Sequence, residues 1–220
     1  MIVRLNRMGQ NGAGRRRAGL VRALAPLLIG AACVSAPALA QFSGSYKFLE
    51  AVRKKNGEEV EQALSDPRST MINTRDATTG QTALHIVTAR RDLTWMTYLI
   101  AKGANVNARD GQGVTPLQLA SNLGFVEGME LLVEKNARVD EPNTAGETPL
   151  ISAVHRRDLG MMRILLKAGA NPDRADNSGR TARDYALLSG RSGPLIGEIE
   201  NHAKARAAQP GAAGVYGPKF

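Results

Sequence analysis

A step of 33 residues recurs through the middle of this chain. Thr82, Thr115, Thr148 and Thr181 keep it, and so do Gly80, Gly113, Gly146 and Gly179. Leu84, Leu117 and Leu150 march with them, as do Ala104, Ala137 and Ala170. Several residue types holding one register from Gly80 to Thr181 mean that one structural unit is built again and again. In such an array each unit touches its neighbours only, and none can bury its apolar face alone.

The unit can be read residue by residue. In Asp110-Gly-Gln-Gly113-Val-Thr115-Pro116-Leu117, the first residues suit a tight turn and Gly113 supplies a positive φ. Thr115 is placed to cap a helix, with Pro116 at the first helical position, where a missing N–H costs nothing. Thr148-Pro149 repeats the arrangement. A short helix follows, with Leu117, Leu119 and Ala120 on one side, and Gly124 closes it in the left-handed conformation. A second helix is expected from Val126 to Glu134, with Met129, Leu131 and Leu132 at inward spacing. An aromatic content of 4% against 43% apolar residues suits such helices better than a β-sandwich.

These units resemble the ankyrin repeat family. The residues that carry the resemblance are Thr82-Ala-Leu-His85, Thr115-Pro-Leu-Gln118 and Thr148-Pro-Leu-Ile151, with Gly103-Ala-Asn-Val-Asn107 and Gly169-Ala-Asn-Pro-Asp173. It covers residues 46–207 and implies an all-α fold, an ankyrin-repeat solenoid of stacked antiparallel helix pairs with turns projecting from one edge. Three full repeats lie between two capping units, the first a helix pair split at Asn56-Gly57, the last with its second helix starting near Pro194. The expected division is 1–40 a signal peptide, 41–75 an N-terminal capping pair, 76–208 the repeats with their C-terminal cap, and 209–220 a disordered tail. Some residues depart from the pattern. Asp76 to Gly80 has one residue more than Asp110 to Gly113, and Arg183 replaces the inward Leu. Arg91 and Arg157 stand where Gly124 and Gly190 end the first helix, at a strain of about 1 kcal/mol each.

The formal charge of +9 suggests nucleic-acid binding until it is located. Residues 1–40 hold six arginines and no acid, and the rest of the chain has 23 basic against 20 acidic residues. That near balance removes the main support for binding DNA or RNA. The Arg-rich start, the apolar run Ala23 to Val34 and Ala38-Leu39-Ala40 read as a secretory signal with cleavage after Ala40. Arg16-Arg17 raises a twin-arginine route, which the following Ala-Gly-Leu fits poorly. The single cysteine, Cys33, falls in the segment to be removed, so the mature chain has no thiol chemistry and no disulfide. The expected place is a periplasm or the outside of the cell, with the membrane met only during export. An uncleaved N-terminus would make the chain a membrane-tethered adaptor instead.

Nothing in the sequence points to catalysis, a metal or a cofactor. No two of His85, His155 and His202 share zinc-helix spacing, and neither a nucleophile elbow nor a phosphate loop occurs. In the family, the histidine at His85 is structural and bonds the neighbouring turn. Trp95 is expected to fill the space left by Gly128, or else to anchor a partner. Met96, Met129, Met161 and Met162 align at helical spacing and read as core. The family implies another protein as partner, held by a monomer through turn tips and the open end of each first helix. Residue by residue, the tips are Thr78, Thr79 and Gln81; Gly111, Gln112 and Val114; and Thr144, Ala145 and Glu147. The helix positions are Ala89, Arg90, Asn122, Leu123, His155 and Arg156. Arg90-Arg91 and Arg156-Arg157, two repeats apart, read either as solvated helix ends favourable for the dipole or as positive spots for an acidic partner.

Overall fold

The computed structural model describes residues 36–66, 68–190 and 193–207, with side chains from Gly44 to Ala205. The expectations for Cys33, the rest of residues 1–35 and the tail 209–220 lie outside these. Two helices, α1 (Ala36–Lys54) and α2 (Gly57–Ala63), are followed by a 3-10 turn, Met71–Asn73. Four further pairs come next: α3 (Ala83–Ala89) with α4 (Leu93–Ala101), α5 (Pro116–Leu123) with α6 (Val126–Glu134), α7 (Pro149–His155) with α8 (Leu159–Lys167), and α9 (Ala182–Leu188) with α10 (Pro194–Ala207). The described part of α1 begins ten residues before Tyr46, where the family resemblance starts.

The threonines do what their positions predict. Thr115 accepts from the Gln118 N–H at 3.2 Å and Thr148 from the Ile151 N–H at 3.3 Å, each followed by Pro. All five first helices close on a residue of positive φ: Lys55 at 59°, Arg91 at 55°, Gly124 at 67°, Arg157 at 55° and Gly190 at 125°. The strained positions predicted at Arg91 and Arg157 are therefore real, and Lys55 is a third.

First helices pack on first helices and second on second, α1 on α3, then α5, α7 and α9 in turn, with α4, α6, α8 and α10 behind them. Leu84, Leu117 and Leu150 are fully buried, as are Met96, Met129, Met161 and Met162. Leu119 is only half-buried, on the open side of α5. Arg183 is not inward either: its Nε lies 2.7 Å from Asp173 Oδ1, with the side chain about one third exposed.

Trp95 does not fill the space beside Gly128. A Cβ at Gly128 would lie 2.4 Å from the ring of Phe125, which already takes that space from within its own repeat. Trp95 turns the other way and, with Gly57, Glu61, Thr94 and Tyr98, lines a shallow cleft between α2 and α4. Its ring meets that of Tyr98 edge-on at 5.7 Å.

Candidate functional site

The turns are built on one acidic or amide side chain each. Asp76 Oδ1 accepts from the N–H groups of Thr78 and Thr79, Asp110 Oδ1 from Gln112 and Val114, Asn143 Oδ1 from Ala145 and Glu147, and Asp176 Oδ1 from Ser178 and Arg180, at 2.8–3.1 Å. The N–H of Thr79 and the Arg53 guanidinium hold the Asp76 carboxyl well below the usual carboxylate range. The Ser178 and Tyr185 hydroxyls bring Asp176 down to about 2. In the first turn the extra residue is absorbed by a wider closure, Gly80 N–H to Asp76 O, where the others close from Gly113 to Asp110 and from Gly146 to Asn143.

Neighbouring turns are joined through their backbones. Gly111 N–H donates to Thr79 O at 2.9 Å, Thr144 N–H to Gln112 O at 3.0 Å and Asn177 N–H to Ala145 O at 3.1 Å. This edge leaves the side chains of Thr78, Thr79, Gln112, Thr144 and Ala145 exposed, with Gly111 beside them, and those of Gln81 and Glu147 half-buried. Val114 does not belong to the tip as expected, because its side chain is buried. The reason lies one repeat back. His85 is fully buried, accepts the Thr82 N–H at Nδ1 (3.2 Å), and lies with Nε2 2.9 Å from Val114 O, so Nε2 carries the donated proton. Burial pushes the His85 imidazole below its ordinary value. The imidazole thus ties down the next turn.

On the first helices, Ala89, Asn122 and His155 stand at one position in successive repeats and all are exposed. The next residue in that row is Leu188, 73% exposed, which the sequence reading did not include and the 33-residue step would have found. A polar chain crosses the face between them. Gln118 Nε2 donates to Asn122 Oδ1 (3.2 Å) and to Ser152 Oγ (2.5 Å), and Ser152 donates on to Glu147 (3.0 Å). Glu147 also lies 3.3 Å from His155 Nδ1, and the His155 ring meets Tyr185 edge-on at 4.4 Å. Tyr185 OH donates to Asp176 at 2.7 Å. Asn122, Glu147 and His155 are thereby brought together, with Gln118, Ser152 and Tyr185 as unforeseen members.

The arginine pairs do not project alike. Arg90 turns back toward the first capping pair, donating to Val52 O at 2.8 Å and lying 5.8 Å from the Trp95 ring centre. Its guanidinium is largely closed into that junction, with Nε and Nη2 buried, so Arg90 faces the first capping pair rather than the row of Asn122 and His155. Arg91 instead reaches forward and donates to Leu123 O. Arg156 reaches back and donates to Asn122 O at 3.1 Å, lying over Gly124. Leu123 is half-buried beneath this crossing, and its carbonyl is the part in use. Among the described residues, no group of three or more His, Cys, Asp or Glu side chains is placed to hold a metal.

Two family models match the chain. One, for ankyrin repeats in three copies, covers residues 48–143, and the other, for ankyrin repeats in many copies, covers residues 131–186. Between them they run from the first capping pair into α9.

Proposed function

This chain belongs to the ankyrin repeat family, whose repeats generally mediate protein–protein interaction and whose members are typically non-enzymatic scaffolds; from that premise we propose that it is an exported module that binds another protein and assists or protects it in the cell envelope. The carrying observation is the joined turn edge, in which Thr79, Gln112 and Ala145 lock each tip to the next beside the open row Ala89, Asn122, His155 and Leu188. Such a surface meets its partner with little ordering cost, which favours affinity. Export is supported by the Arg-rich start, the apolar run and Ala38-Leu39-Ala40. The module works as a monomer and without a cofactor.

A photo-crosslinking residue placed at Asn122 or His155 should give adducts with one envelope protein, while the same residue at Glu130, on α6, should give none. Adducts from Glu130 alone would contradict the reading. Mass spectrometry of the exported chain should find it beginning at Gln41. A chain that keeps residues 1–40 and stays with washed membranes would be the tethered adaptor instead.

A further inference from the structure

We infer that the partner presents an acidic segment, and that Arg91, Arg156 and Arg157 receive it where the first helices end. The inference rests on the protein-binding reading above and names the chemistry of what is bound.

Three observations carry it. The first is convergence. Arg91 from one repeat and Arg156 from two repeats further on close over the C-terminus of α5, on the consecutive carbonyls of Leu123 and Asn122. Gly124 makes this possible, since a Cβ there would lie 2.4 Å from Arg156 Nη2. Each guanidinium has five N–H donors and spends one on a carbonyl, which leaves donors over on two exposed side chains.

The second is missing neutralisation. Arg53, Arg109, Arg138, Arg163 and Arg183 each have a carboxylate within ion-pair distance. Arg91, Arg156 and Arg157 have none among the described residues; Arg68, Arg75, Arg174 and Arg180 share that condition, but of these seven only the three stand where a first helix ends. Helices α3, α5 and α7 contain no Asp or Glu, whereas Glu58, Glu59 and Glu61 lie on α2 and Glu127, Glu130 and Glu134 on α6. The ends of α3 and α7 are thus basic beside helices that carry no acid of their own, although Asp92 and Asp158 follow them in the chain and Glu147 lies near His155.

The third is where the cations stand. Arg91 and Arg157 occupy left-handed positions, at φ 55° each, that Gly124 and Gly190 fill without steric cost. The favourable interaction of a cation with a helix C-terminus accounts for the direction of Arg91 and Arg156. It does not account for Arg157, whose side chain holds no carbonyl among the described residues. Guanidinium forks pair with carboxylates through two parallel bonds, which suits a segment carrying several of them. First helices stacked about 8–10 Å apart match carboxylates three residues apart on a polyproline II chain, which brings every third side chain to one face at roughly 3.1 Å per residue.

The test uses the full chain and a fluorescein-labelled peptide of repeated Gly-Gly-Glu, with Gly-Gly-Gln as control, followed by anisotropy. The variant is Arg91→Gly with Arg157→Gly, which removes two charges and places at both sites the residue that positions 124 and 190 already tolerate. Loss of binding therefore cannot be loss of fold, and a thermal melt confirms it. The Glu peptide should bind the parent chain at least about tenfold tighter than the variant at low salt, with a flatter salt dependence in the variant. Equal binding by parent and variant would overturn the inference, and so would equal binding of the Gln peptide. Tighter binding of phosphatidylglycerol vesicles or of a single-stranded oligonucleotide, lost in the same variant, would assign the cluster to a lipid or a nucleic acid and overturn it too. An envelope protein crosslinked at Asn122 but indifferent to the variant would sink the acidic segment alone. No crosslink on the open face would sink the binding reading itself.

Discussion

In the middle unit Leu117 is fully buried on α5, a helix with α3 on one side and α7 on the other, while at the same step of the last unit Arg183 stands about one third exposed beside Asp173. Ser121 in the middle unit is buried and donates to Pro149 O across to the next repeat; its counterpart Leu187 is 38% exposed. Asn107 accepts the Arg138 N–H one repeat on, as Asn73 accepts Asn105 and Asp140 accepts Asn171, but Asp173, the next in that row, is turned to Arg183. The two units share the turn, the Thr cap and a first helix of 8 and 7 residues, although α10 has 14 residues where α6 has 9. What separates them is a neighbour on the C-terminal side. Burial follows whether the next repeat is there to cover a position, and at the uncovered end Arg183 supplies polar surface while Leu187 and Leu188 stay exposed.

The sharpest way to break this comparison is to empty the covered position. Leu117→Ala should cost about 2–5 kcal/mol by leaving a cavity between packed helices, whereas Arg183→Ala should cost about 0–1 kcal/mol, as expected for an exposed ion pair. Urea unfolding of both variants measures it, and equal losses would deny that burial distinguishes the units.

A second difference should show in pH. The first full repeat closes its helix start with Thr82 and His85, the C-terminal capping unit with Thr181 and Asp184. Burial lowers the folded value of His85, so the unfolded chain binds the proton more readily. The contribution of His85 is full above the unfolded value of about 6.5 and is lost as pH falls below it. The Thr181 N–H and hydroxyl lower Asp184, whose contribution is present above the unfolded carboxylate range and lost only as pH falls through it. His85→Gln, which borrows the residue at 118, should therefore flatten stability between about pH 7 and 5. Thermal melts across that range check it, and an unchanged slope would contradict the assignment.

Smaller effects sharpen the contrast. Asn107→Ala removes an acceptor between repeats and should cost about 1 kcal/mol, by the same urea measurement. Arg157→Gly relieves a left-handed side chain and should stabilise by up to about 1 kcal/mol. Leu188→Ala, at an exposed end, should change stability by less than about 0.5 kcal/mol while weakening crosslinking from His155.

Much of the fold was legible because its signals are local. The 33-residue step, the Thr-Pro helix starts and the left-handed stops all appear where the spacing put them, and α6 has the expected limits, Val126–Glu134. Three of the errors share one cause. Val114, Arg90 and Trp95 are placed by contacts to another repeat or capping pair, and a period tells which residues align without telling which way a long side chain turns. Val114 is buried under a bond from His85, Arg90 is drawn to carbonyls of α1, and Trp95 faces α2. The site was half visible for the same reason. Asn122, Glu147 and His155 follow from repeat position, but the hydrogen bonds through Gln118 and Ser152 that join them follow only from the stacking.

The account depends on the turns being fastened to one another along one edge. Native-state hydrogen exchange of the amides of Gly111, Thr144 and Asn177 tests this directly. All three should exchange much more slowly than free peptide and respond together to Leu117→Ala, since one stack holds them. Exchange at the rate of an unstructured chain, or protection at one turn without the others, would contradict it.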